Sequence, residues 1–122
     1  MHSEPMIAVR DVRASAAWYK KLLGCSNDHG RSDFDRLLAD GQVLLMLHQT
    51  QADEHGLTKP VPGAVGSGFL LWIHVDDFDT IVQRAKKLKI PIVVEPHENP
   101  QAGWREFTVR DPDGYHVAIV EP

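Results

Sequence analysis

The chain has 122 residues, of which 43% are apolar and 25% charged, and its net charge at neutral pH is -4. That length and apolar content suit one ordinary buried core, and the acidic balance provides no basic field to attract a phosphate backbone or an anionic lipid surface. No apolar run approaches the ~20 residues of a membrane span, and the opening MHSEPMIAV lacks the charged-then-apolar pattern of a signal peptide. Nucleic acid and membrane are therefore excluded as partners, and a cytoplasmic protein is expected.

Met6 to Val9 is a short apolar stretch that reads as a strand. From Val12 the large and apolar residues Val12, Ala16, Tyr19, Leu22 and Leu23 recur at helical spacing and stop at Gly24. Trp18 and Tyr19 belong to this helix and are assigned to structure. Cys25, the single cysteine, has neither a disulfide partner nor a metal-site spacing and reads as a plain thiol. A weak strand is allowed between Cys25 and Arg31. Phe34 to Ala39 and Val43 to His48 then form a β-hairpin about the turn Asp40-Gly41. Thr50 to Ser67, rich in Gly and Pro and without periodicity, reads as an exposed linker.

The pattern then begins again. Phe69 to Val75 is a strand, Asp76-Asp77 supplies helix-start chemistry, and Phe78, Ile81, Val82, Ala85 and Leu88 mark the buried stripe of a second helix. Ile90 to Val94, Arg105 to Arg110 and Tyr115 to Val120 complete the series as strands. The last two are joined by Asp111-Pro112-Asp113-Gly114, where Pro presets φ and Gly accepts a positive φ. The order β-α-β-β-β is thus used twice, in a unit of about 50 residues. The sequence predicts an α+β chain of two such modules, about 4–49 and about 68–122, within a single domain over 1–122.

The string IAVRDVRASAAWYKKLLG, from Ile7 to Gly24, resembles the opening of vicinal-oxygen-chelate proteins, the superfamily of glyoxalases, bleomycin-resistance proteins and extradiol dioxygenases. WREFTVRDPDGYHVAIVEP, from Trp104 to Pro122, resembles their closing hairpin. The resemblance implies curved mixed sheets around a cavity, assembly as a homodimer, and, in metal-using members, one ligand on the first and one on the last strand of each module. The equivalent positions here are Glu4, Met46, Leu70 and Ala118, of which only Glu4 has a donor for a divalent ion. A carboxylate alone does not hold a catalytic metal.

Strand side chains alternate with period two, so a shift of two or four residues along the same faces brings in His48, His74 and His116. Three imidazoles would suit Zn, Ni, Mn or Fe, although the shifts are unequal and set the rings at different heights. His2, His29, His55 and His97 fall in loop-like or terminal contexts and are expected in solvent. Trp72 lies between Leu70 and His74 on one face. It either walls a cavity or packs beneath a helix. Trp104 and Arg105 follow the loop Gln101-Ala102-Gly103 and either close over a ligand or anchor the surface. If Phe107 and Val109 pack under the helix, Glu106 and Thr108 face the cavity with Ala118 and His116, and Glu106 requires a partner such as His116 or water.

The expected function is metal-free binding of a small aromatic or cationic organic molecule, antibiotic binding being one option, with Met46, His48, Trp72, His74, Trp104, Glu106 and His116 as ligand contacts. The alternatives are a metal-dependent lyase, isomerase or dioxygenase using some of Glu4, His48, His74 and His116, and a structural or regulatory domain. Glutathione chemistry is disfavoured for want of a basic cluster beyond the scattered Arg10, Arg36 and Arg105.

Overall fold

The computed structural model describes residues 1–50, 62–63 and 68–122, and most of the expected Thr50 to Ser67 linker, with His55, lies outside the described residues. The chain forms two compact units, Met1–Ser67 and Gly68–Pro122.

In the first unit, β1 (Met6–Val9) leads into α1 (Val12–Leu23), followed by β2 (Ser26–Asn27), β3 (Phe34–Ala39) and β4 (Gln42–Gln49). The Asp11 side chain accepts from the Ala14 N–H at 3.0 Å and so caps the first turn of α1; Gly24, at φ 75°, ends the helix in the left-handed region. The expected Asp40-Gly41 turn is present, with φ values of 52° and 77°, the paired positive angles of a tight hairpin connection. The sheet order is β1-β4-β3-β2, with β1 parallel to β4 and the other pairs antiparallel. Ile7, Val9, Leu37, Leu45 and Leu47 are buried with Val12, Ala16, Tyr19 and Leu22 of α1, the stripe expected from the spacing.

The second unit repeats the plan with β5 (Leu70–His74), α2 (Phe78–Lys87), β6 (Ile92–Glu98), β7 (Arg105–Arg110) and β8 (His116–Val120). Its order is β5-β8-β7-β6, and β5 runs parallel to β8. Asp77 caps α2 through the Thr80 N–H at 3.1 Å. Phe78 meets Phe107 edge to face at 5.4 Å, which seats the helix on the face carrying Leu71, Ile73, Phe107, Val109, Val117 and Ile119.

Two expectations require correction. Leu88 is 42% exposed and does not extend the buried stripe. The helix ends one residue earlier: Lys89 takes a φ of 56°, the Ile90 N–H donates to the Ala85 carbonyl and the Lys89 N–H to Lys86, and Ile90 is buried in its place. The third strand of this unit runs from Ile92 to Glu98 and not from Ile90 to Val94. Pro96 does not end it, because β6 is an edge strand where a missing N–H costs no ladder bond.

Candidate functional site

Alternation gives the second sheet a face opposite α2, carrying Leu70, Trp72 and His74 on β5, His116, Ala118 and Val120 on β8, and Glu106 and Thr108 on β7; it is open at the β5 side chains, while Ala118 and Val120 are buried. This settles the position of Trp72, which is 44% exposed and not beneath the helix. Its ring stands 6.3 Å from that of Trp104 at 61°, and Trp104 meets the His74 ring edge to face at 5.5 Å.

Both indoles are fixed by their N–H groups. Trp72 Nε1 donates to His74 Nε2 at 3.3 Å, and Trp104 Nε1 donates to Glu106 Oε2 at 3.3 Å. An indole N–H can only donate, so His74 Nε2 carries a lone pair. His74 Nδ1 lies 2.9 Å from the main-chain carbonyl of Glu121, which can only accept, so this nitrogen carries the proton. The two contacts select a single neutral tautomer of His74. Glu121 is in turn held by Arg105, whose guanidinium binds the Glu121 carboxylate, reaches Asp79 at 2.9 Å and lies 4.8 Å over the Phe78 ring. These partners raise the pKa of Arg105 above its ordinary value, chiefly through the hydrogen bond to Asp79 and then that to Glu121. Arg105 thus anchors the chain end that orients His74; it is bound on the α2 side and does not close over the open face.

Glu106 faces the open side, as alternation predicts, but its partner is not His116. Its register neighbours are Val120 on β8 and His97 on β6, whereas His116 is paired with Arg110 and Leu70. Asn99 Nδ2 donates to Glu106 Oε1 at 3.2 Å, and His97 Nε2 stands 3.6 Å from the same oxygen. His97, read from sequence as a solvated loop residue, is therefore part of the cluster. With the strand ended at Val94, neither His97 nor Asn99 has a place beside β7; a strand continued through an edge proline puts both there.

The three imidazoles do not converge. Within the second sheet, His74 pairs with Val120 and His116 with Leu70, so they sit at opposite ends of the β5–β8 pairing, about 13 Å apart at ~3.3 Å per residue. His116 Nε2 faces Arg110 Nη2 at 3.4 Å. His48 lies in the first unit, buried, with Nδ1 3.1 Å from the Gln49 carbonyl and its ring 6.2 Å from that of Phe34. His29 also meets Phe34, at 5.1 Å, and binds Asp28 at 2.7 Å, so it is not simply solvated.

The first unit presents Met46, paired with Met6 and Arg36, on the face opposite α1. A cleft of about 600 Å³ in the same unit is lined by Glu4, Asp28, Arg36, Leu38, Gln42 and Val43 among others, and Met46 does not line it. Its charges are internally matched: Arg36 binds Asp28 through its guanidinium. The hydrogen bond from Arg36, followed by that from His29, lowers the Asp28 pKa to about 2. His2, 3.5 Å from Glu4, closes the same side.

The positions at which the family resemblance implies metal ligands do not fit a divalent ion. Glu4 is an exposed carboxylate before β1, Met46 offers a thioether, and Leu70 and Ala118 offer hydrocarbon. Among the described residues no group of three or more His, Cys, Asp or Glu is arranged to hold a metal. No helix among them is long and apolar enough to cross a membrane.

The fold has many counterparts among solved structures. TioX from Micromonospora sp. ML1 superposes with a TM-score of 0.76 at 18% identity, over 98% of each chain. A glyoxalase/bleomycin resistance protein/dioxygenase family enzyme from Burkholderia phytofirmans PsJN gives 0.77 at 21% identity, over 98% of this chain and 96% of that one. A lactoylglutathione lyase from Agrobacterium tumefaciens gives 0.75 at 25% identity, over 99% and 92%. No curated protein matches the chain significantly. The model of one family matches residues 3–119, nearly the whole chain. By that match and by its two β-α-β-β-β units, the chain belongs to the Glyoxalase/Bleomycin resistance protein/Dioxygenase superfamily.

Proposed function

We propose that this protein binds a small aromatic or cationic organic molecule on the open face of its second sheet, without a resident metal. The observation that carries this reading is the pair of indoles, Trp72 and Trp104, whose N–H groups are held by His74 and Glu106. Rings pinned in this way lose little freedom on binding and offer their π faces to a flat or cationic partner. His116, on the same sheet, remains an outlying candidate for contact with a larger ligand, and a homodimer remains the expected assembly.

Calorimetric titration with bleomycin and with a planar cationic dye, 9-aminoacridine, tests the proposal. Saturable binding is expected, weakened about tenfold, near 1.4 kcal/mol, by Trp72→Ala. Failure of both probes to bind, or equal binding to the variant, refutes it.

A metal-dependent glyoxalase-like lyase, isomerase or dioxygenase is the competing reading, and the likeness to the Agrobacterium tumefaciens lactoylglutathione lyase favours it. Native mass spectrometry after titration with Zn²⁺, Ni²⁺, Mn²⁺ and Fe²⁺ separates the two. A stoichiometric ion lost in Glu4→Gln or His74→Gln would establish the metal reading.

A further inference from the structure

His97 presents both ring nitrogens to oxygen. Nδ1 lies 2.9 Å from the main-chain carbonyl of Glu95, and Nε2 lies 3.6 Å from Glu106 Oε1. A carbonyl only accepts, so Nδ1 donates to it, and Nε2 is left facing the carboxylate at ion-pair rather than hydrogen-bond distance. Among the described residues, Glu106 is meanwhile approached by donors: Asn99 at Oε1, Trp104 at Oε2 and His97 beside Oε1. Its side chain is 15% exposed, whereas that of His97, on the edge strand, is 44% exposed. The carboxylate is fixed and its cation is not.

We propose that His97 is a resident counter-ion which an organic cation displaces, so that Glu106 makes the site selective for ligands bearing a cationic N–H group and excludes anions. This rests on the reading that ligands bind at the Trp72–Trp104 face. The donors around that face are already committed, Trp72 to His74 and both Trp104 and Asn99 to Glu106, so an anionic ligand finds no matching partner among them. The other ionisable groups on the surrounding elements do not supply one. On β5, His74 offers the lone-pair nitrogen engaged by Trp72. On β7, Arg105 is bound to Asp79 and Glu121. On β6, Glu95 and Glu98 are exposed carboxylates that add negative charge to the same edge. On β8, Ala118 and Val120 are apolar, and His116, about 13 Å along the β5–β8 pairing from His74 at ~3.3 Å per residue, faces Arg110.

A ligand cation must take the place that His97 holds beside Glu106, so removing the ring should free the carboxylate for an external cation. Three flat probes of one shape test this by calorimetry: 9-aminoacridine as cation, acridine-9-carboxylate as anion and acridine-9-carboxamide as neutral comparator. The cation is expected to bind about fivefold tighter than the carboxamide, and the anion weaker than both. Glu106→Gln should remove the ranking. His97→Gln, which removes the competing ring and leaves Glu106 and both indoles in place, should raise cation affinity about two- to fivefold.

Binding of all three probes with equal affinity overturns charge selection while leaving ligand binding at the indoles intact. A ranking that survives Glu106→Gln, or a cation affinity unchanged in His97→Gln, also overturns it. Binding of none removes the reading on which it rests as well.

Discussion

Asp35 gives a sharp test of how the first unit holds its open edge. It is buried in β3, and its carboxylate accepts from four donors: the Asn27 amide at 2.8 Å, the Gly30 N–H at 2.9 Å, the Arg36 N–H at 2.9 Å and the His29 N–H at 3.1 Å. Asp35→Ala leaves the Asn27, His29 and Gly30 donors without their acceptor in a partly buried loop, and ~1 kcal/mol for each gives a loss of about 3 kcal/mol. For a domain of this size that corresponds to a fall in Tm of about 12 °C. Asp35→Asn keeps one carbonyl oxygen and should lose about half as much. Urea unfolding followed by circular dichroism measures both, and a loss below about 1 kcal/mol for Asp35→Ala would refute the argument. The pH dependence checks it independently. Burial pushes the Asp35 carboxyl pKa up, but hydrogen bonds from Gly30, Asn27, His29 and Arg36 outweigh it and leave the pKa lowered. The contribution is therefore complete above the unfolded value of about 3.9 and lost as pH falls through the lower folded value, so wild type and Asp35→Ala should converge in stability in acid.

Phe107 is fully buried against Phe78, and Phe107→Ala should cost about 4 kcal/mol in chemical denaturation, whereas Phe107→Leu, with a smaller cavity, should cost about 1 kcal/mol. Asp28, held to about 2 chiefly by the hydrogen bond from Arg36, should titrate near that value by carboxyl NMR and return toward about 3.9 in Arg36→Gln. Its stabilising pairing is thus kept in mild acid and lost only as pH falls from the unfolded value toward about 2. Arg105→Gln should release the Glu121 segment, seen as faster exchange of the His74 Nδ1 proton; an unchanged exchange rate would show that Arg105 does not orient the imidazole.

Elements whose ends carry their own chemistry were legible from sequence. Asp77 caps the second helix, Gly24 ends the first, and Asp40-Gly41 and Asp111 to Gly114 set the hairpins, whereas the Asp11 cap of the first helix was not read. Alternation also placed Glu106 on the open face once Phe107 was taken as core. What escaped depends on neighbours distant in sequence. A strand bounded at Val94 drops His97 and Asn99 from the site, and only the edge position of β6, where Pro96 is tolerated, carries it on to Glu98. The pairing of Glu106 with Val120 rather than His116 is fixed by hairpin register, since β7 and β8 run antiparallel from the Asp111 turn and the residues near it, Arg110 and His116, pair first. The role of the Glu121 carbonyl leaves no trace in residue type, because every residue carries a carbonyl.

The two modules show how one plan separates its chemistry. Val9 and Val75 each stand two residues before a capping aspartate, so Met6 corresponds to Trp72 and Ala8 to His74. Register then matches Met46 with Ala118 and His48 with Val120. In the first unit this places the imidazole on the last strand, beside Ala8, where its Nδ1 meets the carbonyl of the next residue, Gln49. In the second unit the imidazole is on the first strand, beside Val120, and its Nδ1 meets the carbonyl of Glu121, the residue after Val120. Exchanging the strand that carries the ring keeps its anchor on an equivalent carbonyl but changes what lies beside Nε2. In the second unit that neighbour is the indole of Trp72, where the first unit has Met6 at the equivalent position. The aromatic pair that carries the proposed binding is thus a property of the second module's first strand and its Trp104 loop, and transplanting Met6→Trp alone would not reproduce it.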